Sequence, residues 1–203
     1  MGNTRSAPIP MLVVGLDSAG KRTLLYRLAT AEVEYSIPTI GFNMASTEFR
    51  GFDVKSFDVG GRSPLRPLHH QLVQGDRPVI MMVVDSSDRK RFEDVKRELK
   101  WFADEEAMET GIFVILQNKM DLPGAGPIDE VASVLKPTQR YAIFPTCTTT
   151  MEGVQDALDW VKSMQEKDAT AAQPTVDGKQ DLAHKDPASP VVSILKEVVK
   201  RVL

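Results

Sequence analysis

A chain of 203 residues, 42% hydrophobic and 26% charged, has the composition of an ordinary globular protein and the length for one buried core. Its formal net charge of -3 excludes a general electrostatic pull toward nucleic acid, so no DNA or RNA partner is expected. The single cysteine, Cys147, excludes an internal disulfide, no apolar run reaches membrane-spanning length, and the N-terminus lacks a secretory pattern; the expected location is the cytoplasm.

Met1-Gly2-Asn3-Thr4-Arg5-Ser6 fits the loose pattern for N-myristoylation at Gly2. One acyl chain binds membranes only marginally without a second signal, and Pro8 and Pro10 break any amphipathic helix before the first strand. Met11 to Val14 is an apolar run ending at Gly15, and Leu24, Leu25 and Leu28 follow at helical spacing, so a buried strand passes through a turn into a helix. That turn, Gly15-Leu16-Asp17-Ser18-Ala19-Gly20-Lys21-Arg22-Thr23, keeps the G-x-x-x-x-G-K part of a phosphate-binding loop. Backbone N–H groups between the glycines would wrap phosphates and Lys21 would neutralise them, which makes Gly15, Asp17, Ser18, Ala19, Gly20, Lys21, Arg22 and Thr23 the phosphate-binding candidates. Arg22 stands where a Mg²⁺-binding hydroxyl belongs, and a guanidinium has no lone pair to offer a metal. Either Arg22 turns to solvent and water takes the coordination place, or it pairs with phosphate oxygens itself.

Further along, Ile37-Pro38-Thr39-Ile40-Gly41-Phe42-Asn43 offers the Thr39 hydroxyl to a metal and to phosphate. Glu48 to Asp58 alternates around Gly51 as an antiparallel hairpin leading into Asp58-Val59-Gly60-Gly61. There Asp58 can reach Mg²⁺ through water, and the Gly60 N–H can meet a γ-phosphate unobstructed. Val79 to Val84 and Ile112 to Leu116 read as strands buried on both faces of a parallel sheet. Between them Phe92, Val95, Leu99 and Phe102 mark one face of a helix with Ser87 or Asp88 as its cap. Asn118-Lys119-Met120-Asp121 follows the second strand: the Asp121 carboxylate can accept from guanine N1–H and the exocyclic amine, a donor pair adenine lacks, while Asn118 and Lys119 frame the ring. Thr146-Cys147-Thr148-Thr149 closes the site beside the base, with Cys147 and Thr148 nearest it. Val154, Leu158 and Val161 mark a last helix of the domain.

After about Met164 the composition shifts. Residues 165–190 read as a disordered linker and 191–203 as an amphipathic helix, with Lys196, Lys200 and Arg201 beside a Val/Ile/Leu face. That helix is either a second membrane signal or a docked element. The sum is an open α/β sheet with ligands at the carboxyl ends of its strands.

Four of these segments together resemble the ADP-ribosylation factor (Arf) and Arf-like small GTPases: the phosphate loop, Ile-Pro-Thr-Ile-Gly-Phe-Asn, Asp-Val-Gly-Gly with Arg66-Pro67-Leu68, and Asn-Lys-Met-Asp running into Leu122-Pro123. The resemblance covers about Pro10 to Met164 and implies the small-GTPase (P-loop NTPase) fold: a mostly parallel six-stranded sheet with helices on both faces. The expected organisation is a leader at 1–9, a GTP-binding domain at 10–164, the linker and the terminal helix. The resemblance also implies GTP and GDP as ligands, Mg²⁺ held weakly, effector proteins with exchange and activating factors as partners, a monomer, and peripheral contact with an intracellular membrane. Arg62 stands where the family carries the glutamine that orients the attacking water, and an arginine cannot accept that water's proton. Gly60 and Arg62 are thus the catalytic positions, and slow hydrolysis is expected. The family's effector-facing aromatic triad becomes Phe42, Phe57 and Leu72 here, with His69 where a tryptophan usually stands. His69 and His70 read as solvent-facing, since no nucleophile or metal-ligand spacing surrounds them. An interaction scaffold without a nucleotide cycle is the alternative reading. An ATP-using phosphotransferase is disfavoured by Asn118 to Asp121.

Overall fold

Uninterrupted apolar runs bury themselves by pairing on both sides, and the chain uses them as the middle of a sheet. The computed structural model describes residues 8–29, 34–36, 43–58 and 78–171, with side-chain surroundings for 8–29, 45–56 and 78–167. Strands β1 (Ile9–Val14), β2 (Glu34–Ser36), β3 (Asn43–Phe49), β4 (Phe52–Asp58), β5 (Val79–Asp85), β6 (Ile112–Asn118) and β7 (Arg140–Pro145) form one sheet in the order β2-β3-β4-β1-β5-β6-β7. The five strands from β4 to β7 pair in parallel, and β3 and β2 extend the β4 edge antiparallel. The three-residue β2 adds a seventh strand to the six expected.

Helices α1 (Lys21–Leu28), α2 (Phe92–Ala103), α3 (Asp129–Ala132) and α4 (Val154–Ala171) connect or follow the strands. The connection after β1 leads toward β4 and the one after β5 leads the other way to β6; right-handed crossovers in opposite directions set α1 and α2 on opposite faces. Val79 to Val84 and Ile112 to Leu116 are fully buried, with Leu24, Leu28, Leu99 and Phe102 packing from the helices. The hairpin closes through Arg50 (φ 47°) and Gly51 (φ 87°), a two-residue turn with both residues left-handed, as a tight hairpin's twist requires. It begins at Asn43 rather than Glu48, because Asn43 to Thr47 pair along β4 without a hydrophobic alternation that would announce a strand.

Neither Ser87 nor Asp88 caps α2. A 3-10 turn at Arg89–Arg91 precedes the helix, the Ser87 hydroxyl donates to Asp85, and the Asp88 carboxylate is taken by Arg91. The sheet, α1, α2, α3 and α4 as far as Lys162 belong to one compact unit, Met1–Lys162, and Ser163–Leu203 is a second. Helix α4 continues to Ala171, past the boundary expected at Met164, because the Gln, Glu, Lys and Ala of 165–171 favour helix even without large apolar residues. Among the described residues no helix is long and apolar enough to cross a membrane.

Truncating Phe113, fully buried in β6, removes a large ring from the middle of the core. Phe113→Ala is expected to cost about 3–5 kcal/mol in urea unfolding.

Candidate guanine-nucleotide site

The loop between β1 and α1 is shaped by two glycines in left-handed conformations. At Gly15 (φ 141°) a Cβ would collide with the Val83 carbonyl of β5, and at Gly20 (φ 110°) it would strike the Asn118 amide. Between them Ser18 is also left-handed, at φ 61°. The resulting cradle opens at the N-terminus of α1, where the helix dipole favours an anion. Lys21 is only 6% exposed, and its ammonium donates to the Gly15 and Leu16 carbonyls at 2.8 Å each, tying the first turn of α1 to the start of the loop. Arg22 and Thr23 are exposed while Lys21, Leu24, Leu25 and Leu28 are buried, so Thr23 does not take over the inward position.

Asn118, at the carboxyl end of β6, is fully buried. Its amide nitrogen donates to the Ala19 carbonyl at 2.8 Å and to Thr148 Oγ1 at 3.2 Å, and its amide oxygen accepts from the Thr148 N–H at 2.9 Å. One side chain thus clamps the phosphate loop to the 146–149 loop. Its backbone carbonyl is held by the buried Ser86, through the hydroxyl at 2.6 Å and the N–H at 3.0 Å.

Lys119 adopts φ 64° and its Nζ lies 2.6 Å from Asp85 Oδ2. Asp85 also accepts from the Ser87 N–H and hydroxyl. Partial burial pushes the Asp85 carboxyl upward, but the bonds from Lys119 and Ser87 outweigh it and hold its pKa below the ordinary 3.8. Asp121 is exposed, and among the described residues nothing pairs with its carboxylate. Thr146 joins the neighbouring strands by donating its N–H to Gln117 and accepting from the Met120 N–H. Cys147 is buried, and its carbonyl accepts from the Met151 N–H at 2.8 Å, closing the turn that carries Thr148.

The structure therefore brings Gly15, Asp17, Ser18, Ala19, Gly20, Lys21, Asn118, Lys119, Asp121, Cys147 and Thr148 to the carboxyl ends of β1, β6 and β7. Of the remaining sequence candidates, Gly2, Thr39, Phe42, Gly60, Arg62 and Leu72 lie outside the described residues, as do His69 and His70. Phe57 and Asp58 end β4, with their backbone alone described. Sequence reasoning missed Asp85, Ser86 and Arg91. Their only signal was a polar cluster directly after an apolar strand. The glycine cradle fits a phosphate chain, since a Cβ at either end would break its frame. For Mg²⁺ the exposed Arg22 supplies no donor, and among the described residues no group of three or more His, Cys, Asp or Glu is assembled to hold a metal.

Gly20→Ala would force a Cβ into Asn118 and to 3.1 Å from the Thr148 hydroxyl, at a φ alanine resists. It is expected to cost about 1–3 kcal/mol in urea unfolding. Because the folded pKa of Asp85 is depressed, its contribution is present above the unfolded value and lost as pH falls through the folded one. Acid titration below about pH 4 should show that loss, and Asp85→Asn should show a shallower decline over the same range.

The model of the ADP-ribosylation factor family matches residues 3–165. Among solved structures, the Arl6 (BBS3) small GTPase from Trypanosoma brucei, determined with the bound nucleotide analogue GppNp, superposes with a TM-score of 0.62 at 25% identity, covering 81% of this chain and 99% of that one. The small-GTPase architecture expected from the sequence is the one observed, and the chain belongs to the ADP-ribosylation factor family.

Proposed function

We propose that this chain is an Arf-like guanine-nucleotide switch that binds GTP and GDP, recruits effectors in one nucleotide state, and hydrolyses GTP slowly. The observation that carries this reading is the Asn118 clamp, which makes a phosphate cradle and a base-side loop into one rigid site. Asp121 supplies the guanine-specific carboxylate, and Lys21 the phosphate charge. The trypanosomal Arl6 was solved with a nucleotide analogue, which supports the ligand class.

Arg62 leaves the attacking water without the glutamine that orients it, so turnover is limited by water positioning. Arg22 removes one metal ligand, and Asp58 and Thr39 are the residues left to hold Mg²⁺, which retains several waters readily. Phe42, Phe57 and Leu72 form the effector surface, and acylation at Gly2 with the basic terminal segment gives peripheral membrane contact, in traffic or organelle organisation. The two arginines equally favour a second reading, a scaffold with a locked or empty site.

Chromatography of nucleotide released from the purified protein separates the two readings. The switch reading expects GDP or GTP that exchanges with added nucleotide; no retained nucleotide, or retained nucleotide that does not exchange, would leave the scaffold. In single-turnover hydrolysis, Arg62→Gln is expected to be at least about tenfold faster than the native protein. Equal rates would contradict the slow-hydrolysis proposal.

A further inference from the structure

Arg91, in the 3-10 turn ahead of α2, lies 74 residues from the phosphate loop in sequence yet grips it directly. Its Nη1 is 3.0 Å from Asp17 Oδ1, its Nη2 donates to the Asp17 carbonyl at 3.4 Å, and its Nε donates to Asp88 Oδ2 at 2.7 Å. These bonds, chiefly that to Asp88, raise its pKa further above an already basic value, so the guanidinium stays charged. Under the loop lies a small crevice floored by Leu16, Ala19, Val83 and Val95, where the loop and α2 are not closely packed. Arg91 lines that crevice and makes a polar tie between the loop and the α2 turn.

We infer that Arg91 is a positioning residue that holds the phosphate loop in its binding shape and thereby slows nucleotide release. This rests on the nucleotide-binding reading above. Two effects follow from the geometry. In a trans peptide the carbonyl and the next N–H point opposite ways, so fixing the Asp17 carbonyl fixes the direction of the Ser18 N–H, just where the backbone is left-handed. Asn118 does the same for the Gly20 N–H through the Ala19 carbonyl. In addition, Asp17 places a negative charge between the two glycines of a loop built for phosphate. The Arg91 charge offsets it. Asp88 holds the guanidinium from the opposite end, so the fork of Arg91 spans two carboxylates, a geometry a lysine cannot reproduce.

The test combines two readouts on full-length protein: dissociation of a fluorescent GDP, and amide hydrogen exchange of the 15–20 loop. Arg91→Ala is expected to speed both by about fivefold, the scale of a partly exposed ion pair. Arg91→Lys should recover part of the loss. Asp88→Asn, which leaves the Arg91–Asp17 contact in place, should move both less than Arg91→Ala. A lower melting temperature with unchanged loop exchange would mark Arg91 as merely structural and overturn the inference, as would Asp88→Asn matching Arg91→Ala. If the native protein binds no guanine nucleotide, the proposed function fails, and loop exchange alone then decides for or against the Arg91 brace.

Discussion

The carboxamide of Asn118 is the interaction on which the site depends. Its three bonds join a loop 99 positions away in sequence to another 30 positions away, and none of its surface is exposed. Each polar atom it satisfies is buried, so losing it would strand donors and acceptors at about 1–3 kcal/mol apiece. The position follows from topology. β6 lies between β5 and β7, both parallel to it, so the residue at its carboxyl end stands on the same edge as the loops after β5 and β7 and within side-chain reach of the loop after β1, two strands away. An apolar run buried on both faces carries β6 into the sheet, and the last residue of the strand, Asn118, does the bridging.

Around that bridge the backbone is held in costly shapes. Ser18, Lys119 and Met151 are left-handed without being glycine, each in a loop after a parallel strand, at about 1–2 kcal/mol each. Each is flanked by a tether: Arg91 and Asn118 beside Ser18, the Asp85 ion pair on Lys119, and the Cys147 carbonyl on the Met151 N–H. Loops shaped in advance lose less freedom when a ligand arrives, so stability spent on strain returns as binding. Lys21 shows the same economy, since an ammonium suited to phosphate is already bonded to two loop carbonyls.

Much of this was legible in the sequence, for identifiable reasons. Val79 to Val84 and Ile112 to Leu116 read as buried strands because burial on two faces leaves no polar alternation. The glycines at 15 and 20 stood out because their spacing from Lys21 is fixed by the chemistry of phosphate. The short strand Glu34–Ser36 and the start of β3 at Asn43 were not legible, since antiparallel edges need only backbone bonds and carry no apolar signature. β7 was hidden as well: its residues are half-buried or exposed. Above all, the braces were invisible. Arg91 and Asp85 look like ordinary charges near a helix start, and only the fold shows that they meet Asp17 and Lys119.

The described site is thus a well-tethered binding frame, while Arg22 and Arg62 stand where the sequence pattern and the resemblance lead one to expect a metal ligand and a water-orienting side chain. Protein-internal ties, more than a metal, are expected to shape this frame for a guanine nucleotide. Calorimetric titration with GDP and with ADP, each in excess Mg²⁺ and in a chelator, tests this most directly. GDP should bind at least about a hundredfold tighter than ADP, as expected where a site's buried or charged groups match only one base. Removing Mg²⁺ should weaken GDP binding by less than about tenfold. Equal affinity for the two nucleotides, or GDP binding that disappears with the metal, would contradict that expectation.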